Sequence, residues 1–303
     1  MGFLYLLEKI RIPGLNEVML LITRLGEETA FLAIALVVFW CVDKHRGYFL
    51  MAVGFAGTMI NQLLKLAFRV PRPWVLDPDF TILEQAREAA AGYSFPSGHT
   101  QMAVGTFGSL AVTAKKRKTA VFCWILAFLV AFSRMYIGVH TPYDVGASVV
   151  IALALIFLLR PLVMEKTEKS MKPLIAAMLL MALALLWYVE RWDFPADMDG
   201  HNLESGIRNA YTMVGSLSGV AVVYLLEKNY VNFETKAIWW AQLLKVLLGL
   251  VVVLAVKEGL RSPLEMLFGT YPGRAVRYFL IVLAAGFLWP MTFRWFSELG
   301  DKK

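Results

Sequence analysis

Three short stretches hold residues whose types and spacing carry chemistry. The central one is Pro96, Ser97, Gly98 and His99. Pro and Ser favour the start of a helix, and the free backbone amides of such a start bind anions. Gly98 lets the backbone approach an anion closely, and Ser97 adds a hydroxyl donor. His99 gives or takes a proton near neutral pH. An anion cradle beside a titratable imidazole suits chemistry on a phosphate.

The flanking stretches supply what that site lacks. Lys65, Arg69 and Arg72 are spaced four and three apart, which places them on one face if a helix persists. Pro71 and Pro73 end the helix there. Arg72 offers a planar fork for phosphate oxygens and Lys65 a point charge; the plainer alternative is a snorkelling basic cap on an apolar helix. In the third stretch, Arg134 precedes His140, Thr141, Pro142 and Asp144. Thr141 reads as an N-cap and Pro142 as the first helical residue, so Asp144 reaches back over the helix start. There it can accept from one imidazole nitrogen of His140 and leave the other free to attack, as in nucleophilic catalysis. The alternative is an acid that favours the helix dipole.

The elements that must position these residues are membrane spans. The chain has 303 residues, 58% of them hydrophobic, and a mean hydropathy of +0.60, which reads as an all-α integral membrane protein. Apolar runs at about 27–43, 47–68, 99–114, 119–136, 142–164, 172–190, 205–226, 238–256 and 275–294 predict a bundle of about nine transmembrane spans. Residues 1–25 read as short amphipathic pieces at the interface, broken at Pro13 and Gly14.

The net charge of +7 does not point to nucleic acid, because the basic residues cluster in short loops between spans. One set of loops carries Lys44, Arg46, Lys115, Lys116, Arg117, Lys118, Arg160, Lys166, Lys169, Lys172, Lys228 and Lys236, with Lys302 and Lys303 in the tail. The opposite set holds Asp77, Asp79, Glu84, Glu88, Asp193, Asp197 and Asp199. The positive-inside rule puts the basic set in the cytoplasm. Antiparallel spans then bring Arg72, His99, Arg134 and His140 to the outer face. Ionisable groups at a span end are costly unless they serve something, and this convergence points to a polyanionic ligand. Cys41 and Cys123 suggest neither a disulfide nor a metal framework.

Lys65 with Arg72 and Pro73, then Pro96 through His99, then Arg134 with His140 and Asp144, resemble in order and spacing the three signature motifs of the type-2 phosphatidic acid phosphatase (PAP2) superfamily. The resemblance covers residues 26–165, a PAP2-like catalytic membrane core. It implies a lipid phosphate or pyrophosphate phosphatase in which His140 attacks phosphorus and forms a phosphohistidine. Asp144 orients it, and His99 protonates the leaving oxygen and then activates water. Lys65, Arg72, Ser97, Gly98 and Arg134 hold the phosphate oxygens. By the same resemblance no cofactor or metal is needed, and the partners are the bilayer and a phosphorylated lipid, such as undecaprenyl pyrophosphate or a sphingosine phosphate. The implied setting is a bacterial inner or plasma membrane, with the site facing outward.

Two readings of another kind remain at this point: a transporter that keeps a lipid-phosphate pocket, and a phosphotransferase using the same phosphohistidine. Residues 166–303 read as additional transmembrane helices packed on the core, in the manner of sphingosine-phosphate-phosphatase-like and glucose-6-phosphatase-like members. His201 is either a substrate contact or a surface residue. Arg274 and Arg277 either meet headgroups or snorkel, and His45 reads as inert.

Overall fold

The structure is a computed structural model that describes residues 1–87, 90, 92–165, 167–196 and 198–299, with side chains for the same residues except 167 and 168. Glu88, Lys166, Asp197, Lys302 and Lys303, which entered the charge pattern, lie outside the described residues. Those residues form helices and connecting loops and no strand. The helices are α1 (Gly2–Lys9), α2 (Pro13–Thr23), α3 (Glu28–Cys41), α4 (Lys44–Phe68), α5 (Pro73–Leu76), α6 (Gly98–Thr113), α7 (Arg117–Tyr136) and α8 (Pro142–Arg160). They continue with α9 (Thr167–Arg191), α10 (Gly200–Leu226), α11 (Trp239–Gly259), α12 (Arg261–Phe268), α13 (Thr270–Leu283) and α14 (Phe293–Glu298).

Seven helical stretches among the described residues are long and apolar enough to cross a membrane, rather than the nine expected. The two others, α3 and α6, have 14 and 16 residues. At 1.5 Å per residue they rise about 21 and 24 Å, short of about 30 Å of hydrocarbon. The shortfall in α6 follows from its ends: Ser97 caps it at the start, and Ala114 turns to extended backbone before the basic loop. Large apolar side chains lie exposed along the long helices, as Phe122, Ile125 and Phe128 do on α7, and Leu243, Leu247 and Val251 on α11. Rows of this kind belong in lipid, and the protein is an integral membrane protein.

The chain divides into two compact units. The first comprises residues 1–32, 49–161 and 195–205. Here α6 packs against α7 and α8, and α2 lies on α7. Small residues set the α6 spacing: a Cβ on Gly108 would stand 2.7 Å from Ile156 Cδ1 and 3.0 Å from the Trp124 ring. The two N-terminal helices break before Pro13, at residues 10–12, and they are anchored. Leu4 packs with Phe80 and Ile82. Met19 packs with Tyr136, Ile137 and Val139. Arg11 donates to the Tyr136 and Thr81 carbonyls at 2.8 and 2.7 Å.

The second unit comprises residues 33–48, 162–194 and 206–303. Trp40 donates to the Ala285 carbonyl at 2.9 Å, and Phe293 sits edge-on to Trp40, Phe233 and Phe296. Lys44 pairs with buried Glu227 at 2.7 Å. Arg274 donates to Thr212 at 2.7 Å, and Arg277 is buried 3.8 Å from Glu265. These are protein contacts for both arginines, where headgroup contact or snorkelling was expected. His45 and His201 are exposed.

Candidate active site

Each chemical residue in the first unit stands at a helix end, where the backbone stops satisfying itself. Lys65 occupies the last turn of α4. The helix stops at Phe68, and Arg69 takes a left-handed φ of 49°. Lys65, Arg69 and Arg72 therefore do not share a helical face: Arg72 arrives on extended backbone, as the N-cap residue of α5. Arg134 lies in the last turn of α7. His140 follows in the tight turn after it, where Gly138 has a φ of +87°. A Cβ at Gly138 would also meet Arg11 at 2.8 Å, so both conformation and space call for glycine.

Ser97 is the N-cap of α6 and its hydroxyl accepts from the Thr100 amide at 3.4 Å. Gly98 and His99 occupy the first two helical positions, whose amides have no acceptor within the helix. Pro96 stands one position before the cap. The Ser97 amide donates to the Asp144 carbonyl at 3.3 Å, which ties the start of α6 to the start of α8. There Thr141 and Asp144 form a reciprocal capping box, the Asp144 carboxylate accepting from the Thr141 amide at 2.7 Å.

The three stretches converge. One Arg72 nitrogen lies 2.9 Å from His140 Nε2 and donates to the Val139 carbonyl at 2.9 Å. Arg72 Nε donates to the Gly92 carbonyl at 2.8 Å, and Lys65 donates to the Tyr93 carbonyl. Asp144 Oδ2 stands 3.6 Å from His140 Nδ1. That is longer than a hydrogen bond, so in this structure the carboxylate lies beside the imidazole without bonding to it. The same oxygen accepts from Ser94 at 2.6 Å. Arg134 donates to Thr23 at 2.6 Å, while its Nε is buried without a partner among the described residues.

Arg72, Arg134, His140 and Asp144 are each more than nine-tenths buried. Burial first, then the neighbouring Arg72 and Arg134 cations, hold the His140 imidazole well below its ordinary range. A neutral His140 is a ready nucleophile. Lys65, Arg72 and Arg134 face two carboxylates, Asp144 and Glu27, so the cluster carries an excess of positive charge that burial makes costly. An anion with several oxygens offsets it.

His99 and Arg134 line one cavity of about 350 Å³ together with Thr23, Arg24, Glu27 and Gln85. Gly26 brings this wall in: a Cβ there would stand 2.8 Å from the His99 carbonyl oxygen and 2.9 Å from Val130.

Three further residues take part that the motifs do not flag. Ser94 bonds Asp144, and Thr23 bonds Arg134. Asn61 places its carbonyl oxygen 3.7 Å from where a Gly98 Cβ would be, and its amide nitrogen is buried without a partner among the described residues. Asn61 stands one helical turn before Lys65, the only hint its position offers.

Comparisons with known proteins match two parts of the chain. The family model described as PAP2 superfamily matches residues 46–168. A second, described as PAP2 superfamily phosphatase, transmembrane extension, matches residues 211–301. An undecaprenyl-diphosphatase of Bacillus subtilis is 35% identical over 150 residues, which are 48% of this chain and 72% of that protein. Phosphatidylglycerophosphatase B of the same organism is 29% identical over 166 residues, 50% of this chain and 76% of that protein. Sphingosine-1-phosphate phosphatase 1 of Mus musculus is 25% identical over 277 residues, 84% of this chain and 62% of that protein. No solved structure matches the chain.

Proposed function

Because this chain belongs to the PAP2 superfamily, we propose that it is a phosphatase that removes phosphate from a membrane lipid through a phosphohistidine on His140. The observation that carries this reading is the convergence of the three stretches: Arg72 lies 2.9 Å from His140, Asp144 lies 3.6 Å from the same ring, and the Ser97 amide at the start of α6 donates to the Asp144 carbonyl at 3.3 Å.

His140 Nε2, the ring nitrogen away from Asp144, attacks phosphorus in line with the lipid oxygen. The P–N bond forms as the P–O bond breaks, and His99 gives the leaving oxygen its proton. His99 then takes a proton from water, whose oxygen displaces His140 and releases inorganic phosphate. Asp144 holds the imidazole beside it. Lys65, Arg72, Arg134, the Ser97 hydroxyl and the Gly98 and His99 amides stabilise charge on the equatorial oxygens. These cations stand where other phosphatases use a metal, and the reaction proceeds without one.

The site faces away from the cytoplasm. Support comes from the chain itself: α6 and α8 start at the site, α4 and α7 end there, and their other ends lie at Lys44, Lys115, Arg117 and Arg160. Lipid enters sideways between helices, which suits a buried phosphate site in a membrane protein.

Phosphate release from detergent-dispersed lipid monophosphates and diphosphates, measured with chelator present, tests the reading. Release that continues in chelator and disappears in His140→Ala supports it. Release that requires an added divalent ion, or survives in His140→Ala, contradicts it.

A further inference from the structure

The start of α6 opens onto a space with one neighbour among the described residues. Beyond its chain neighbours and its own helix, a Cβ built on Gly98 would meet a single atom within 4 Å, the carbonyl oxygen of Asn61 at 3.7 Å. The Cβ of a helical residue tilts toward the N-terminus of its helix. The Asn61 carboxamide therefore lies out over the end of α6 where the Gly98 and His99 amides have no helical acceptor. It reaches that place from α4, one turn before Lys65 and on the same helical face.

Asn61 is 6% exposed, and its amide nitrogen has no partner among the described residues. A donor buried without an acceptor is costly, and such a group in a folded protein calls for an explanation. Packing does not supply one, since leucine has the same branched outline and leaves no polar atom unsatisfied. The neighbouring cations differ in this respect. Lys65, Arg72 and Arg134 each donate to a protein oxygen already, whereas the Asn61 amide has its donors to offer.

A second amide in the same seam shows that depth matters. Gln101 is 4% exposed, and both its amide atoms lack partners among the described residues. It lies against Gly57, where a Cβ would stand 2.6 Å from its amide nitrogen. Gly57 precedes Asn61 by one turn of α4, and Gln101 follows Gly98 by one turn of α6. Gln101 is thus about 5 Å deeper than Asn61. An anion seated on the Gly98 amide has Asn61 beside it and Gln101 behind.

We propose that Asn61 is a further phosphate-contacting residue, whose amide nitrogen donates to the equatorial oxygen that the Gly98 amide also holds. The proposal rests on the phosphatase reading and adds to it a donor from outside the three motifs. A fixed, water-excluded donor of this kind acts on the charge of the transition state, and so on kcat.

The test sets Asn61→Leu, Asn61→Asp and Gln101→Leu beside wild type, with two readouts in detergent: phosphate release from a lipid phosphate, and the rise in Tm caused by inorganic phosphate. Asn61→Leu removes the donor and is expected to lower kcat by roughly ten- to a hundredfold. Without phosphate it should unfold no lower than wild type, because the unsatisfied amide is gone; a residue that only held the fold would lose stability and activity together. The rise in Tm with phosphate should shrink, since it follows affinity for the folded state. Asn61→Asp keeps the shape and turns donor into acceptor, so it should lose kcat and the phosphate response as well. Gln101→Leu should keep both. Wild-type kcat and a full phosphate response in Asn61→Leu or Asn61→Asp overturn the proposal and leave the phosphatase intact. Equal losses in Asn61→Leu and Gln101→Leu do the same, because they tie the effect to the seam and not to the contact. Wild-type protein that neither releases phosphate nor gains stability from it overturns the phosphatase reading, and the proposal falls with it.

Discussion

Ser94 donates a 2.6 Å hydrogen bond to Oδ2 of Asp144, across fifty positions of sequence, with both side chains almost wholly buried. The same oxygen takes the Thr141 amide and lies 3.6 Å from the His140 ring. One carboxylate oxygen thus ties a helix start to a loop and lies beside the His140 ring. The loop is held in turn by the Ser94 amide on the Val70 carbonyl at 2.8 Å, and by Lys65 and Arg72 on the carbonyls of Tyr93 and Gly92.

Ser94 is therefore a positioning residue. A hydrogen bond to a charged acceptor contributes about 1.5–3 kcal/mol, so Ser94→Ala is expected to lower kcat by roughly ten- to a hundredfold. KM should change little, because Ser94 acts through Asp144 and not on substrate. Ser94→Thr, which keeps the hydroxyl, should restore most of the rate. Steady-state kinetics on the three proteins checks this; equal losses in kcat for Ala and Thr would point to a steric role instead.

His140 is expected to be neutral at physiological pH. Burial and the facing arginines lower its protonation point from an ordinary value near 6.5. Because the shift is downward, the neutral, nucleophilic form persists as pH falls through 6.5 and is lost only below it. The chain has four histidines, so histidine-labelled NMR with single substitutions can assign each ring. The His140 resonance should titrate below 6.5. Titration of His140 at or above that value contradicts the electrostatics described.

The signature residues were legible in the sequence because apolar runs of known length carry them. Once Arg134 and His140 are placed on either side of one turn, and His99 at the start of the preceding hairpin, antiparallel packing does the rest. The supporting residues were not legible. Ser94 and Thr23 are ordinary small polar residues, and nothing in their spacing separates them from solvent-facing ones; only contacts over 50 and 111 positions reveal them. The face shared by Lys65 and Arg72 was misjudged for a local reason. Arg69 leaves the helical region two residues before Pro71, so Arg72 reaches the site from a loop. Seven rather than nine helices among the described residues are long enough to span, because hydropathy does not see where a cap ends a helix, as Ser97 and Ala114 do for α6. α12 and the start of α13 make residues between the last two expected spans helical as well.

Gly26 sets the width of the cavity beside His99. Adding a Cβ forces it against the His99 carbonyl oxygen at 2.8 Å and Val130 at 2.9 Å, and the first of these is backbone that cannot step aside. Overpacking of this kind costs about 1–3 kcal/mol. Gly26→Ala should lower the Tm by several degrees and reduce kcat, since the displaced atom belongs to the general acid's own residue. Thermal unfolding in detergent together with phosphate-release assays checks both; an unchanged Tm with full activity would show that this turn is free to move.

The account turns on a covalent phosphorus–nitrogen bond at His140, and trapping it is the most direct measurement. His99→Ala removes the group that activates water as well as the proton donor, so a labelled ester whose leaving group departs without a proton, such as nitrophenyl phosphate, should leave its phosphate on the protein. Quenching in alkaline detergent should show a label that is stable to base and lost in acid, mapped by fragmentation to His140, and absent when Asn replaces His140 in the same background. A label on any other residue, or none while His140→Ala still releases phosphate, would contradict the account.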